Sequence, residues 1–103
     1  MPIIALEGGK KTAPSYPYTP SGKVKIYLEA SIPVDVFIAS PPIADELKST
    51  ADAQRFTLIS LPQQTKIPNQ IFSLPDNCKD GWKLVIGNPG DKVAAVYYSV
   101  YEG

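Results

Sequence analysis

The sequence predicts an all-β fold, a single antiparallel β-sandwich, and three observations predict it. Apolar and polar residues alternate with period two over several runs, the pattern of half-buried strands. Eleven prolines and seven glycines punctuate the 103 residues, so turn signals recur between short apolar runs. Only one short fragment has helical spacing, and no segment repeats at a fixed period, which excludes solenoids and propellers. The length supports one hydrophobic core and not two, so residues 1–103 are read as one domain.

The elements follow in order. Ile3 to Leu6 is read as a first short strand. Residues 7–22 carry Pro14, Pro17 and Pro20 with Gly8, Gly9 and Gly22 and no periodicity, which predicts irregular, largely extended backbone. Such a segment is either a polyproline ligand for another domain or an ordered, irregular strand connection. From Lys23 the alternation is clear. Val24, Ile26, Leu28 and Ala30 share one face, with Lys25, Tyr27 and Glu29 on the other. Ser31-Ile32-Pro33 interrupts the run, and Val34, Val36 and Ile38 resume it inward. The interruption reads as a tight hairpin or as a bend that passes the chain between sheets.

Ser40 as a cap, prolines in a first turn and acids before Lys48 predict a short helix near residues 41–48. Phe56 to Leu61 is a strand without clean amphipathicity, read as covered on both sides. Lys66 to Leu74 is a weaker extended run broken by Pro68, which suits an edge strand or a bulge. Trp82–Ile86 and Val93–Tyr101 flank Gly87-Asn88-Pro89-Gly90-Asp91, predicting a β-hairpin closed by a type II turn with Gly90 at positive φ. On its second arm Ala94, Val96, Tyr98 and Val100 face inward, leaving Ala95, Tyr97, Ser99 and Tyr101 outward. About six to eight strands are expected in all.

Composition excludes several function classes. Ten basic and ten acidic residues cancel, and the isoelectric point near 6.2 lacks the basic excess of a nucleic-acid or membrane-surface binder. There is no histidine, so Ser-His-Asp and Cys-His nucleophile designs cannot be assembled from this chain alone. One cysteine makes neither an intrachain disulfide nor a thiolate zinc site. No cofactor, metal or catalytic residue is therefore expected. The opening apolar run lacks a basic n-region and is cut by Glu7, and no apolar stretch approaches the ~20 residues of a spanning helix. A cytoplasmic protein made without export, or a domain cut from something larger, is expected; a lone Cys78 suits a reducing compartment.

Individual motifs yield little chemistry. Asp76 to Gly81 superficially resembles a calcium loop, but Cys78 and Gly87 stand where ligands are required. Asp35 and the Asp45-Glu46 pair show no spacing that makes carboxylates converge. Gly8-Gly9-Lys10-Lys11 lacks the spaced glycines of a phosphate loop. Lys79 beside Cys78 favours a thiolate, yet without a histidine or second cysteine a bystander thiol is the expectation. Lys10, Lys11, Lys23 and Lys25 with Tyr16 and Tyr18 read better as a solvated arm than as a strand-binding surface. The aromatic residues are the strongest binding signal. Tyr27, Phe37, Tyr97 and Tyr101 all fall on faces assigned outward, and on neighbouring strands they form one patch.

The run from Tyr18 to Pro41, followed by the acidic short helix, resembles the first half of small jelly-roll sandwiches of the GOLD and bacterial pre-peptidase C-terminal type. Gly81 to Val100 resembles their final hairpin, in which a strand ends in an asparagine turn and an alternating strand follows. The two pieces cover about half the chain and contain no catalytic signature. The resemblance implies a jelly-roll sandwich serving as a non-enzymatic protein-interaction or accessory module, with no site residue to carry over. Protein binding or self-association is thus the leading expectation; carbohydrate or small-ligand binding through the aromatic face is the alternative.

Overall fold

Two alternating half-strands separated by Ser31-Ile32-Pro33 become one long strand with a bend. The computed structural model describes residues 3–40, 59–74 and 78–103. Its strands are β1 (Ile4–Leu6), β2 (Lys11–Thr12), β3 (Ser15–Tyr16), β4 (Lys23–Ala39), β5 (Ile59–Ser73), β6 (Trp82–Gly87) and β7 (Ala94–Glu102). All pairings are antiparallel. The expected all-β fold is found, with seven strands in a nearly closed, sandwich-like sheet. The helix expected near residues 41–48 lies outside the described residues, as do Asp45, Glu46, Phe56 to Leu58, Asp76 and Asn77.

β4 organises the molecule. β5 runs along one of its edges from Lys23 to Ile38, while β7 and β6 share the other edge end to end. β7 pairs with Val24 to Ala30 and β6 with Asp35 to Ala39, so the bend between them passes the chain from a first sheet to a second. The strands form one continuous sheet, and its two halves are the first and second sheet. The first is β1, β7, the start of β4 and the end of β5, and the second is β2 and β3, β6, the end of β4 and the start of β5. Both sheets contribute to one apolar cluster, in which Val24, Ile26 and Leu28 meet Val34, Val36, Ile38, Leu84, Ile86 and Val96. Trp82 is buried there too, and its ring stacks on Tyr16 at 4.8 Å.

This arrangement corrects the expected C-terminal hairpin. β6 and β7 do not pair with each other; the loop between them crosses from one sheet to the other. Sequence neighbours usually pair, but the bent β4 supplies each strand with a separate partner. The type II turn is absent as well, since Gly90 does not have positive φ. Asn88 shapes the loop instead. Its Oδ1 accepts from the Gly90 amide at 3.1 Å, and its Nδ2 donates to the carbonyls of Leu6 at 2.9 Å and Lys92 at 2.6 Å.

The N-terminal segment is an ordered strand connection. Asn88 N donates to Lys10 O, and Leu84 N donates to Pro14 O, so β2 and β3 line the edge of β6. Trp82 Nε1 donates to the Pro17 carbonyl at 3.1 Å. Residues 7–22 are thereby stitched to the second sheet over most of their length.

β5 explains its own weak signal. Its pairing with β4 slips three times, between Ile26 and Leu28, between Glu29 and Val34, and between Val34 and Val36, and the first and last slips are bulges with one extra residue on β5. Gln63 and Asn69, the two non-glycine residues of positive φ among those described, sit at these bulges, each just after a proline. The Asp35 carboxylate accepts from the Gln63 amide at 3.0 Å and holds the bulge between Val34 and Val36. Each of the three slips switches which parity of β5 faces inward, so the net effect is one switch. Ile59 and Leu61 therefore pack on the core from odd positions, and Phe72 and Leu74 from even ones. Ser60 between them is exposed, so the described part of this run is covered on one side, not two. The edge position expected from Pro68 holds: among the described residues β5 pairs with β4 alone.

Candidate functional site

Alternation places Lys25, Tyr27 and Glu29 on the outer face of β4, and strand pairing decides what stands beside them. Lys25 is opposite Tyr101 on β7 and Ile71 on β5; Tyr27 is opposite Ser99; Glu29 is opposite Tyr97 and Lys66. Three rows of outward side chains result across the first sheet. Directly opposite side chains in a sheet are within contact distance. Tyr27 and Tyr97 are diagonal neighbours, still within reach for aromatic side chains, and their rings meet edge to face, with centroids 5.8 Å apart and planes 76° apart. Tyr27 Oη donates to Glu29 Oε1 at 2.5 Å, and Lys66 Nζ lies 3.9 Å from the same oxygen. Ser99 Oγ reaches Tyr97 Oη at a long 3.5 Å.

Apolar surface surrounds this cluster. Tyr101 is 51% exposed, Ile71 54% and Ile3, next to β1, 67%. Beside Tyr97 an open depression of about 270 Å³ is lined by Ile3, Glu29, Ala30, Ser31 and Ala95. That volume is at the small end for a small-molecule pocket, and the depression is not enclosed. The hydrogen bond to the Glu29 carboxylate pushes the Tyr27 phenol above its ordinary pKa, because the carboxylate favours the protonated donor.

Of the four aromatic residues expected in one patch, the fold brings together Tyr27, Tyr97 and Tyr101. Phe37 is a correction. It lies on the β4 face opposite the main core, as the alternation requires, but past the bend and in the second sheet, where it pairs with Val85 and Ser60. It is only 5% exposed and Val85 beside it 1%, so Phe37 is packed and presents no surface. Lys25, Glu29, Lys66, Ile71 and Ile3 complete the face. Alternation already marked Lys25 and Glu29 as outward; the bulges of β5 hid Lys66 and Ile71.

Among the described residues, three other chemical candidates have structural placements. Asp35, expected to point into solvent, is 8% exposed and bound to Gln63 N. Cys78 is fully buried, and burial pushes its thiol up, opposite to the activation expected from Lys79. The ring of Tyr16 is taken up by Trp82, so it offers no stacking platform with Tyr18. Among the described residues, no group of three or more His, Cys, Asp or Glu is placed to hold a metal ion, and no helix is long and apolar enough to cross a membrane. No family model matches this chain, and no curated protein or solved structure matches it.

Proposed function

We propose that the chain is a non-catalytic protein-interaction or accessory module that docks its partner on the outer face of the first sheet. The observation that carries this reading is the convergence of Tyr27, Tyr97 and Tyr101 with Ile3 and Ile71, bordered by Lys25, Glu29 and Lys66. Aromatic and aliphatic side chains at the centre with charges around them are the anatomy of a protein interface. The resemblance to GOLD and pre-peptidase C-terminal modules supports the same role, since it implies interaction without chemistry.

The test uses immobilised wild-type chain and a Tyr97→Ser/Tyr101→Ser double variant, each exposed to extract of the cells that make the protein. At least one protein held by the wild type is expected to be lost from the variant while the melting temperature stays close to wild type. Identical bound sets would overturn the reading.

A second reading, carbohydrate binding, is supported by Tyr101, half exposed opposite the polar Lys25. The edge-to-face contact of Tyr27 with Tyr97 weighs against it, because stacked sugars need a flat ring face. A glycan panel distinguishes the two readings: retention of any glycan by wild type, lost in Tyr101→Ser, favours the second.

A further inference from the structure

We infer that the occupant of this face is a second copy of the chain. The inference rests on the reading above, that the outer face of the first sheet is a docking surface, and it names the partner. It comes from the order of charges. Along β4 the outward residues run Lys25, Tyr27, Glu29, with Tyr27 in the middle and one opposite charge on either side. A two-fold axis lying in the interface, perpendicular to β4 and above Tyr27, reverses the strand in the second copy. Lys25 of each copy then lies over Glu29 of the other, and the two Tyr27 side chains meet at the axis. The same operation lays Tyr101 over Tyr97 on the β7 rows, and Ile71 over the stem of Lys66 on the β5 rows. The face is its own charge complement, the requirement of an isologous dimer.

The exposures agree. Glu29 and Lys66 side chains are 53% and 60% exposed, and their mutual contact is a loose 3.9 Å, which leaves Glu29 room for a second cation. The paired stretch Val24 to Ala30 spans seven residues, and three strands, β7, β4 and β5, run across it. At ~3.3 Å per residue and ~4.8 Å per strand the face covers about 330 Å² per copy, or about 670 Å² in total. That is below the standard range for stable complexes, so the dimer is weak and reversible.

Sedimentation equilibrium of the purified full chain over a concentration series tests this. The wild type is expected to show a monomer–dimer equilibrium that weakens with added salt. Lys25→Glu and Glu29→Lys each turn both attractive pairs into repulsive ones, and each alone should dimerise at least about tenfold more weakly. Mixed together they should associate with each other, since one carries two acids where the other carries two lysines. The double reversal Lys25→Glu/Glu29→Lys should dimerise like the wild type. Circular dichroism melts establish that each variant is folded. A wild type that stays monomeric up to about 1 mM would overturn the inference. So would a dimer indifferent to the single reversals, or a mixture no tighter than its components. A monomeric wild type whose Tyr97→Ser/Tyr101→Ser variant still loses a retained protein would overturn the second copy and leave the docking face standing.

Discussion

Tyr27 and Tyr97 meet edge to face on the solvent side of the sheet, one from β4 and one from β7, with no part in the buried cluster. Strand register alone brings them together, at rows set by Glu29 opposite Tyr97 and Tyr27 opposite Ser99. An aromatic pair held by register and left out of the core contributes little to folding. It is surface that the fold maintains without needing it.

The first prediction contrasts the outer face that carries that pair with the core. Tyr101→Ala is expected to lower stability by less than about 1 kcal/mol in urea unfolding. Trp82→Ala removes a buried ring that stacks on Tyr16 and donates to Pro17, and about 3–5 kcal/mol should be lost. Comparable losses at the two positions would show that the outer face is structural.

Asn88 supplies the second. It is 2% exposed, and its amide ties together Leu6, Lys92 and Gly90, while its backbone bonds Gly9 and Lys10. Asn88→Ala leaves the Leu6 carbonyl without its donor inside the fold, and about 2–3 kcal/mol should be lost. Asn88→Asp sets an acceptor against two carbonyls and should be at least as damaging. A neutral Asn88→Asp in chemical denaturation would contradict the role given to this side chain.

Gly8 gives a third, from close packing. A Cβ there would stand 2.7 Å from the Gly90 carbonyl oxygen and 2.8 Å from the Asp91 Cα, both backbone. Gly8→Ala must push the β6–β7 loop away and should lower stability by about 1–3 kcal/mol. Gly87→Ala, with open space around it and no positive φ, is the control and should change little. Equal effects at the two glycines would remove the argument.

The fourth concerns pH. Burial, followed by the charge of Tyr98 and a hydrogen bond with it, raises the Tyr16 phenol from 10.0 to about 12. The unfolded phenol therefore loses its proton first. Stability present below pH 10 is lost as pH climbs from 10 towards 12. In an ultraviolet alkaline titration one of the six tyrosines should ionise well after the exposed ones, and it should vanish in Tyr16→Phe. A Tyr16→Phe curve that keeps the late transition would assign it elsewhere.

Much of this was legible in the sequence, because a strand with one wet side writes its own pattern. Val24, Ile26 and Leu28 alternate against Lys25, Tyr27 and Glu29, and the structure buries the first set as that pattern requires. Long-range choices were not legible. Nothing local in Trp82–Gly87 says that its partner is the far half of β4 and not the next strand, so a hairpin was the natural expectation. Bulges at Gln63 and Asn69 erase the parity of β5, and Lys66 and Ile71 were hidden by it. Phe37 shows the limit of alternation. The pattern tells which face a residue takes, but burial on that face depends on what packs there. The tyrosine face was half visible in the same way. Each ring was marked outward, while their meeting depended on a β4–β7 pairing that only the folded chain displays.

The central claim, that the Tyr27 face receives a protein partner, is tested most directly by site-specific photo-cross-linking in the cells that make the protein. A photoreactive phenylalanine analogue replaces Tyr101 on that face in one experiment and exposed Ser60, in the second sheet, in another. Discrete protein adducts from position 101, a dimer of the chain among them, and none from position 60 are the predicted result. No adduct from position 101, or the same adducts from both positions, would contradict it.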